Sequence, residues 1–309
     1  MLPSEDLEVH MARERVDCIS DSLIDIASRA IYGSDAEKRL QSVNLIDRAA
    51  TVADAQSIYV LDEDFVLYVA PEDFPEVSSE QAHAMIAMRS RLDPKSGSVI
   101  PEVISHGVSE GRSYLILPLC YPLATGRLTG RIDRFRITQN VLEWLRLMTA
   151  RSNTGDENVY ARFEESLVAM NVNAALPDRL RTGSERAISA LKSFPELARS
   201  VPMHGDLWQG NIMRHKDGSL AIIDWAGSIT DGYGVYDLIR FAESFKISRA
   251  KLHRELNWQA VKLGGDPGIV LPMHLLSALG HYLLNLNEFP FERFLPMAVR
   301  CYDNLVEGM

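Results

Sequence analysis

Residues 204–211 read His204-Gly205-Asp206-Leu207-Trp208-Gln209-Gly210-Asn211, and a short polar stretch later comes Ile222-Ile223-Asp224-Trp225. In order, these supply a carboxylate, an amide oxygen, and a second carboxylate at the end of an apolar run. That is the donor set a phosphoryl-transfer site needs: Asp206 to orient a hydroxyl nucleophile, Asn211 and Asp224 to hold Mg²⁺ against nucleotide phosphates. Taken singly, Asp206 reads as a cap or turn residue and Asn211 as a turn residue. Their register with His204 and Asp224 is what favours the chemistry.

The Asp-to-Asn spacing equals that of the protein-kinase loop H-R-D-x-x-x-x-N, with Gly205 in place of the Arg. The block H-G-D-L-x-x-x-N followed by I-D-W resembles the aminoglycoside phosphotransferase and choline kinase group of small-molecule kinases. The likeness runs over residues 201–241 and takes in Asp231-Gly232-Tyr233-Gly234-Val235-Tyr236-Asp237-Leu238, similar to that group's Gly-rich turn and helix start. Gly-Asp-Leu-Trp-x-Gly-Asn also resembles the fructosamine kinases, where the metal-binding Asp is usually followed by Pro; here Trp225 follows Asp224.

The resemblance implies an α+β, bilobal protein-kinase-like fold. An N-lobe with an antiparallel sheet and a helix would precede a larger, mainly helical C-lobe, with the three oxygen donors facing a cleft. It implies transfer of the γ-phosphate of ATP or GTP to a hydroxyl of a small molecule such as a sugar, amino alcohol or aminoglycoside. Asp206 would be catalytic, and Asn211 and Asp224 would bind Mg²⁺. His204, Gly205, Gly210 and Asp237 would support the loop, with Gly210 admitting phosphate closely and Asp237 capping a helix. Trp208 either packs under the loop or lines the acceptor pocket, and core packing is the favoured reading.

One strand departs from that family. Phe65-Val66-Leu67-Tyr68-Val69-Ala70-Pro71 resembles its F-V-L-K-V-x-P strand with Tyr68 in place of the phosphate-binding Lys, which leaves Glu80 without the partner it would have. No Lys or Arg lies between Arg48 and Arg89, and the expected phosphate-covering segment 49–55 has no glycine. Losing such a charge-assisted contact costs on the order of 1.5–3 kcal/mol. Either Lys95 or Arg89 substitutes, or the nucleotide sits differently, or the chain is a catalytically impaired pseudokinase with a binding or regulatory role. Tyr68, Glu80, Leu119 and Cys120 are the implied nucleotide-binding positions, the last two as the hinge beside the adenine edge; Pro118 has no N–H to offer.

Working outward, the chain divides into an N-terminal helical extension (1–44), a β-rich lobe (45–119) and a helical lobe (120–309). Val16, Ile19, Leu23, Ile26 and Ile31 fall at helical spacing within residues 5–31, leaving open a homodimer through these helices. Ser57–Leu61 and Phe65–Val69 predict a hairpin around Asp62-Glu63-Asp64, Ser78 or Ser79 caps a helix after it, and Glu102–His106 and Ser113–Leu119 read as strands. Helices are expected over Asn140–Ala150, Arg186–Leu197 and Met273–Leu286, and loops at Thr154-Gly155-Asp156 and around Gly264.

Length favours two cores. Net charge is −10, with 10 basic and 21 acidic residues in 1–118 against 22 and 21 in the remainder. No basic stripe is available to neutralise nucleic-acid phosphates. No continuous apolar run suggests a membrane span. Cys18, Cys120 and Cys301 are odd in number and widely spaced, which reads as free thiols in a reducing, cytoplasmic setting. The nearly neutral C-terminal part does not favour a strongly cationic aminoglycoside over a neutral alcohol.

Overall fold

The computed structural model describes residues 19–33, 40–46, 56–124, 126, 129–154, 157–286 and 290–309. The segment 49–55, all of 5–18 with Val16 and Cys18, and the loop at 155–156 lie outside the described residues. The chain forms two compact units, one from Met1–His83 and Glu102–Leu119, the other from Ala84–Pro101 and Cys120–Met309.

The first unit holds α1 (Asp21–Tyr32) and a five-stranded antiparallel sheet of β1 (Val43–Leu45), β2 (Ser57–Leu61), β3 (Phe65–Val69), β4 (Ser105–Ser109) and β5 (Arg112–Pro118), in the order β1-β2-β3-β5-β4. Ser20 caps α1, its hydroxyl accepting from the Leu23 N–H. Strand alternation sorts the faces: Tyr59, Leu61, Leu67, Val69, Tyr114 and Ile116 meet Leu23 and Ala27 of α1 in one core, with Ile19, Ile26 and Ile31 packed against it. The apolar stripe of α1 is therefore packed against the sheet of its own unit. Its closure depends on Asp62, whose carboxylate accepts from the Tyr32 hydroxyl (2.5 Å) and from the Gln41 and Ser42 amides (both 2.7 Å). That bond to Asp62 pushes the Tyr32 phenol up to about 12. The β2–β3 turn is tight, with Asp62 and Glu63 both left-handed (φ 48° and 59°). The strand expected at Glu102–His106 begins later, because Glu110-Gly111 turns left-handed (φ 52° and 78°) and pairs Ser109 with Arg112.

Helix α2 spans Val77–Arg91, so Ser78 and Ser79 lie inside it and are not its cap. The Ser79 N–H donates to the Ser113 hydroxyl of β5, which satisfies a first-turn amide instead. Residues 84–101, expected in the β-rich lobe, cluster with the second unit, as its hydrogen bonds explain. Arg89 donates to the Ile100 carbonyl (2.6 Å), Ile222 donates to the Val99 carbonyl (2.8 Å), and Arg91 pairs with Asp231 (2.9 Å).

The second unit is mainly helical: α3 (Pro94–Gly97), α4 (Thr129–Ala150), α5 (Glu157–Val172), α6 (Asp178–Ser193), α7 (Tyr236–Phe245), α8 (Arg249–Leu263), α9 (Pro267–Leu284) and α10 (Phe291–Gly308). Its short strands are β6 (Asn153–Thr154), β7 (Arg199–Met203), β8 (Ile212–Arg214), β9 (Leu220–Ile222) and β10 (Ile229–Gly232), arranged as β10-β7-β6 and a β8–β9 hairpin. Pro195 ends α6 earlier than the expected Leu197. Helix α9 is long and apolar enough by length and composition to cross a bilayer. In this fold its residues from Val270 to Gly280 are mostly buried, and it packs on α5, α6, α8 and α10 as the central core helix.

Gly280 lets α9 lie against α5: a Cβ there would stand 1.9 Å from the Ser166 carbonyl oxygen. Backbone cannot retreat as a side chain would, so Gly280→Ala is expected to destabilise the protein by roughly 1–3 kcal/mol or more. Equilibrium denaturation checks this, and an unchanged midpoint would refute the close approach.

Candidate active site

The loop His204–Asn211 leaves the end of β7, a buried strand paired with β10, and runs into β8 through a short 3₁₀ turn at Gln209–Asn211. Its geometry is set by a carboxylate from another element. Asp237, in the first turn of α7, accepts the His204 N–H at 2.7 Å and the Gly205 N–H at 3.0 Å. Asp237 is therefore not a cap of its own helix but the anchor of the loop. Burial pushes its carboxyl up to about 6, against the two amides that favour its charge.

The His204 ring is fully buried and works with both nitrogens. Nδ1 lies 3.2 Å from the Asp206 N–H and accepts from it, so the proton sits on Nε2, which donates to the Ile223 carbonyl at 3.0 Å. Burial holds it neutral, lowering its pKa to about 4. Trp225 stacks edge-on against His204, with centroids 4.5 Å apart, and also against Trp144, while its own N–H donates to the Ile222 carbonyl. The Trp that follows Asp224 thus packs in the core and braces the loop.

Gly205 sits at φ +92°, where a Cβ would meet the Gly227 carbonyl oxygen at 2.3 Å and the Tyr282 hydroxyl at 2.5 Å. The Tyr282 hydroxyl instead donates to the Gly205 carbonyl at 2.9 Å. At Gly210 a Cβ would strike the Trp208 ring at 2.5 Å, so the glycine gives room to that indole. Trp208 does not pack in the core: it is 45% exposed.

Asp206 itself is half-exposed, its Oδ1 accepting from Arg240 Nη2 at 3.0 Å. The Asn211 amide donates to the Asp206 carbonyl (2.9 Å) and to Asp206 Oδ2 (3.2 Å). With its NH₂ so engaged, Asn211 keeps its oxygen as the end able to ligate. Asp224 lies just past β9, exposed and left-handed at φ 63°, and the preceding Ile223 N–H donates to the Asn211 carbonyl at 3.0 Å. A non-glycine residue held there stores strain that the surrounding bonds must maintain. Asp206, Asn211 and the Ile223–Asp224 turn are thereby joined in one hydrogen-bonded unit. No group of three or more His, Cys, Asp or Glu side chains forms a metal cage among the described residues. One carboxylate and one amide oxygen nevertheless suit Mg²⁺, which keeps waters and takes further oxygens from phosphate.

The expected nucleotide positions are less tightly defined. Tyr68 pairs with Ile58 and Leu115 on the sheet face opposite α1. Glu80 is exposed in the first turn of α2, where the buried polar contact is instead Gln56, donating to Ser78 and Gln81. The Leu119 N–H donates to the Asp64 carbonyl at 2.8 Å and so is not offered to an adenine edge. Cys120 is half-buried, and burial pushes its thiol up to about 11. Arg240 and Tyr282 escaped the sequence reading. For Arg240 a signal existed, since Asp237 and Arg240 stand three apart on one helix face; for Tyr282 none did.

A five-stranded antiparallel sheet followed by a mainly helical region, with this loop and turn, defines a kinase-like phosphotransferase. Residues 48–257 match the phosphotransferase enzyme family (APH), and the chain belongs to it. No curated protein matches it. Solved structures similar to it include APH(2")-IIia with GDP and kanamycin (14% identity, TM-score 0.50, covering 93% of this chain and 100% of that one). Macrolide 2'-phosphotransferase MphH from Brachybacterium faecium matches at 17% identity and TM-score 0.52, covering 91% and 98%. Choline kinase LicA from Streptococcus pneumoniae matches at 10% identity and TM-score 0.50, covering 92% and 98%.

Buried neutral histidines make the fold acid-sensitive. His274 repeats the His204 arrangement, accepting from the Gly234 N–H and facing the Leu197 carbonyl, and burial lowers its pKa to about 3. Both sit below the ordinary 6.5, so the unfolded chain protonates first and stability is lost as pH falls from 6.5 towards 4. Asp237 is raised from 3.8 to about 6, so it opposes this by adding stability as pH falls through that range. The two histidines outweigh the one carboxyl, so stability falls as the pH is lowered through this window. Denaturation midpoints across the window should show it, and His274→Gln should flatten it.

Proposed function

We propose that the chain transfers the terminal phosphoryl group of ATP or GTP to a hydroxyl of a small molecule. The observation that carries this is Asp206, half-exposed and clamped between Arg240 and Asn211, on a loop whose backbone is fixed at three buried points. Asp206 would accept a hydrogen bond from the acceptor hydroxyl and aim its oxygen at the γ-phosphorus. As the new P–O bond forms, the bond to the bridging oxygen breaks, the nucleoside diphosphate leaves, and the hydroxyl proton passes to the Asp206 carboxylate. Such a transition state is loose and asks for orientation more than basicity. Asn211 and Asp224 would hold Mg²⁺, which neutralises phosphate charge. Among the described residues neither Cys120 nor Cys301 forms a disulfide.

The basic-free stretch between Arg48 and Arg89 favours a second reading, a kinase fold that has lost transfer. Two measurements separate them. Asp206→Asn should keep the fold while lowering Mg-nucleotide-dependent phosphorylation across a panel of sugars and amino alcohols by roughly 10²–10⁴-fold. Equal inertness of wild type and variant would sink the transfer reading. Mg-ATP or Mg-GTP at 100-fold over Kd should raise stability by ~2.7 kcal/mol in a thermal shift, and Asp224→Ala should weaken that gain.

A further inference from the structure

Around the end of the loop that carries Asp206, from Trp208 to Gly210, the second unit has a cavity of about 560 Å³. Trp208 forms one wall, Pro122, Leu123, Ile212 and Met213 supply apolar surface, and Gln209 and Ser244 supply its polar groups. An indole this exposed on a loop this rigid is unusual in a monomer's surface. The ring is not loose. It lies on Gly210, and the Trp208 backbone is fixed on both sides, its N–H donating to the Asp206 carbonyl and its carbonyl accepting from the Asn211 N–H. The polar edge is equally fixed. The Gln209 N–H donates to the Ser244 hydroxyl (3.0 Å), and Arg134 donates to the Gln209 side-chain oxygen (3.4 Å) and to the Ser244 carbonyl (3.3 Å) while lying over the Phe245 ring.

Charge decides what such a cavity can take. No Asp or Glu is among its lining residues, and the side chain bonded along its polar edge is the cation Arg134. A polycationic acceptor would shed its water without gaining a counter-charge, and Arg134 would repel it. An uncharged alcohol bearing a flat apolar ring face suits it: the ring can lie on the indole, and polar substituents can reach Gln209 and Ser244. Trp208 stands two residues beyond Asp206 on the same loop, its N–H bonded to the Asp206 carbonyl.

We propose that this cavity is the acceptor subsite, that Trp208 is its specificity-determining residue, and that the acceptor is a neutral, ring-bearing alcohol and not an aminoglycoside-like polycation. This rests on the phosphotransferase reading. The test reads binding without turnover. Tryptophan emission of the full-length protein is titrated with phenyl β-glucoside and, separately, with kanamycin, in wild type and in Trp208→Phe. The difference between the two proteins isolates Trp208 from Trp144, Trp225 and Trp258. Phenyl β-glucoside should give a saturable change that is absent from Trp208→Phe, while kanamycin gives none. Trp208→Ala should weaken glucoside binding, followed by calorimetry, roughly tenfold and leave the thermal shift with Mg-ATP unchanged. No saturable response to the glucoside, an equal response to kanamycin, or a Trp208 response to Mg-ATP alone would each overturn the assignment, the last by giving the cavity to the nucleotide. Glucoside binding without phosphorylation of any acceptor would instead leave the subsite standing and remove the transfer reading.

Discussion

The site is organised by one buried carboxylate. Asp237 accepts two consecutive backbone N–H groups from a loop that lies more than thirty residues earlier in the chain. Its position is forced by an uncommon piece of backbone. Val235 adopts φ 76°, ψ −43°, and the Tyr236 N–H donates to the Gly234 carbonyl, which makes a strained γ-turn at a buried β-branched residue. The turn delivers Asp237 to the N-terminus of α7, where the helix dipole offsets part of the cost of burying its charge. One turn further along, Arg240 reaches Asp206. A single helix end therefore fixes both the backbone of the loop and the Asp206 side chain.

From that anchor the constraints propagate through neutral groups. His204 carries the fixed backbone across to Asp206 on one side and to Ile223, next to Asp224, on the other. A neutral imidazole is the group that can accept with one nitrogen and donate with the other; a charged one would leave the Asp206 amide facing a donor. Burial against Trp225 keeps it neutral. Gly205 closes the arrangement, because only a residue without Cβ fits between Gly227 and Tyr282 at that dihedral angle. Carboxylate, imidazole and glycine form one unit, and the coupling between Asp206 and Asp224 is a chain of short hydrogen bonds.

Much of this was legible in the sequence. The β2–β3 hairpin was readable to the residue, since two β-rich runs flank an acidic turn. The two-part, kinase-like architecture and the family followed from a short motif whose spacing is chemically constrained. What could not be read were the tertiary choices. Periodicity showed α1 as amphipathic but not that its stripe covers its own sheet. Asp237 looked like a cap because local reasoning assigns an early-helix Asp to its own amides, and here a distant loop outcompetes them. Core packing was the favoured reading for Trp208 over a place in the acceptor pocket, whereas Trp225, with its N–H satisfied by Ile222, takes the buried place. The Leu119 amide is lost to Asp64, a pairing that depends on register and not on residue type.

The acidic first part of the chain makes the charge balance of transfer the sharpest constraint on any mechanism. Without a lysine on β3, little in that stretch can neutralise phosphate, so the burden falls on groups from residue 200 onward. Of the groups there, Asn211 and Asp224 carry the oxygens proposed to hold a divalent cation, and the guanidinium of Arg240 is bonded to Asp206. Arg240 is committed to Asp206, so it can hold that carboxylate in one orientation but is not also available to grip phosphate. A reaction that needs a well-aimed acceptor oxygen more than a strong base can run on such an arrangement. One that needed several cations on the leaving phosphate could not, and the chain's chemistry is narrowed accordingly.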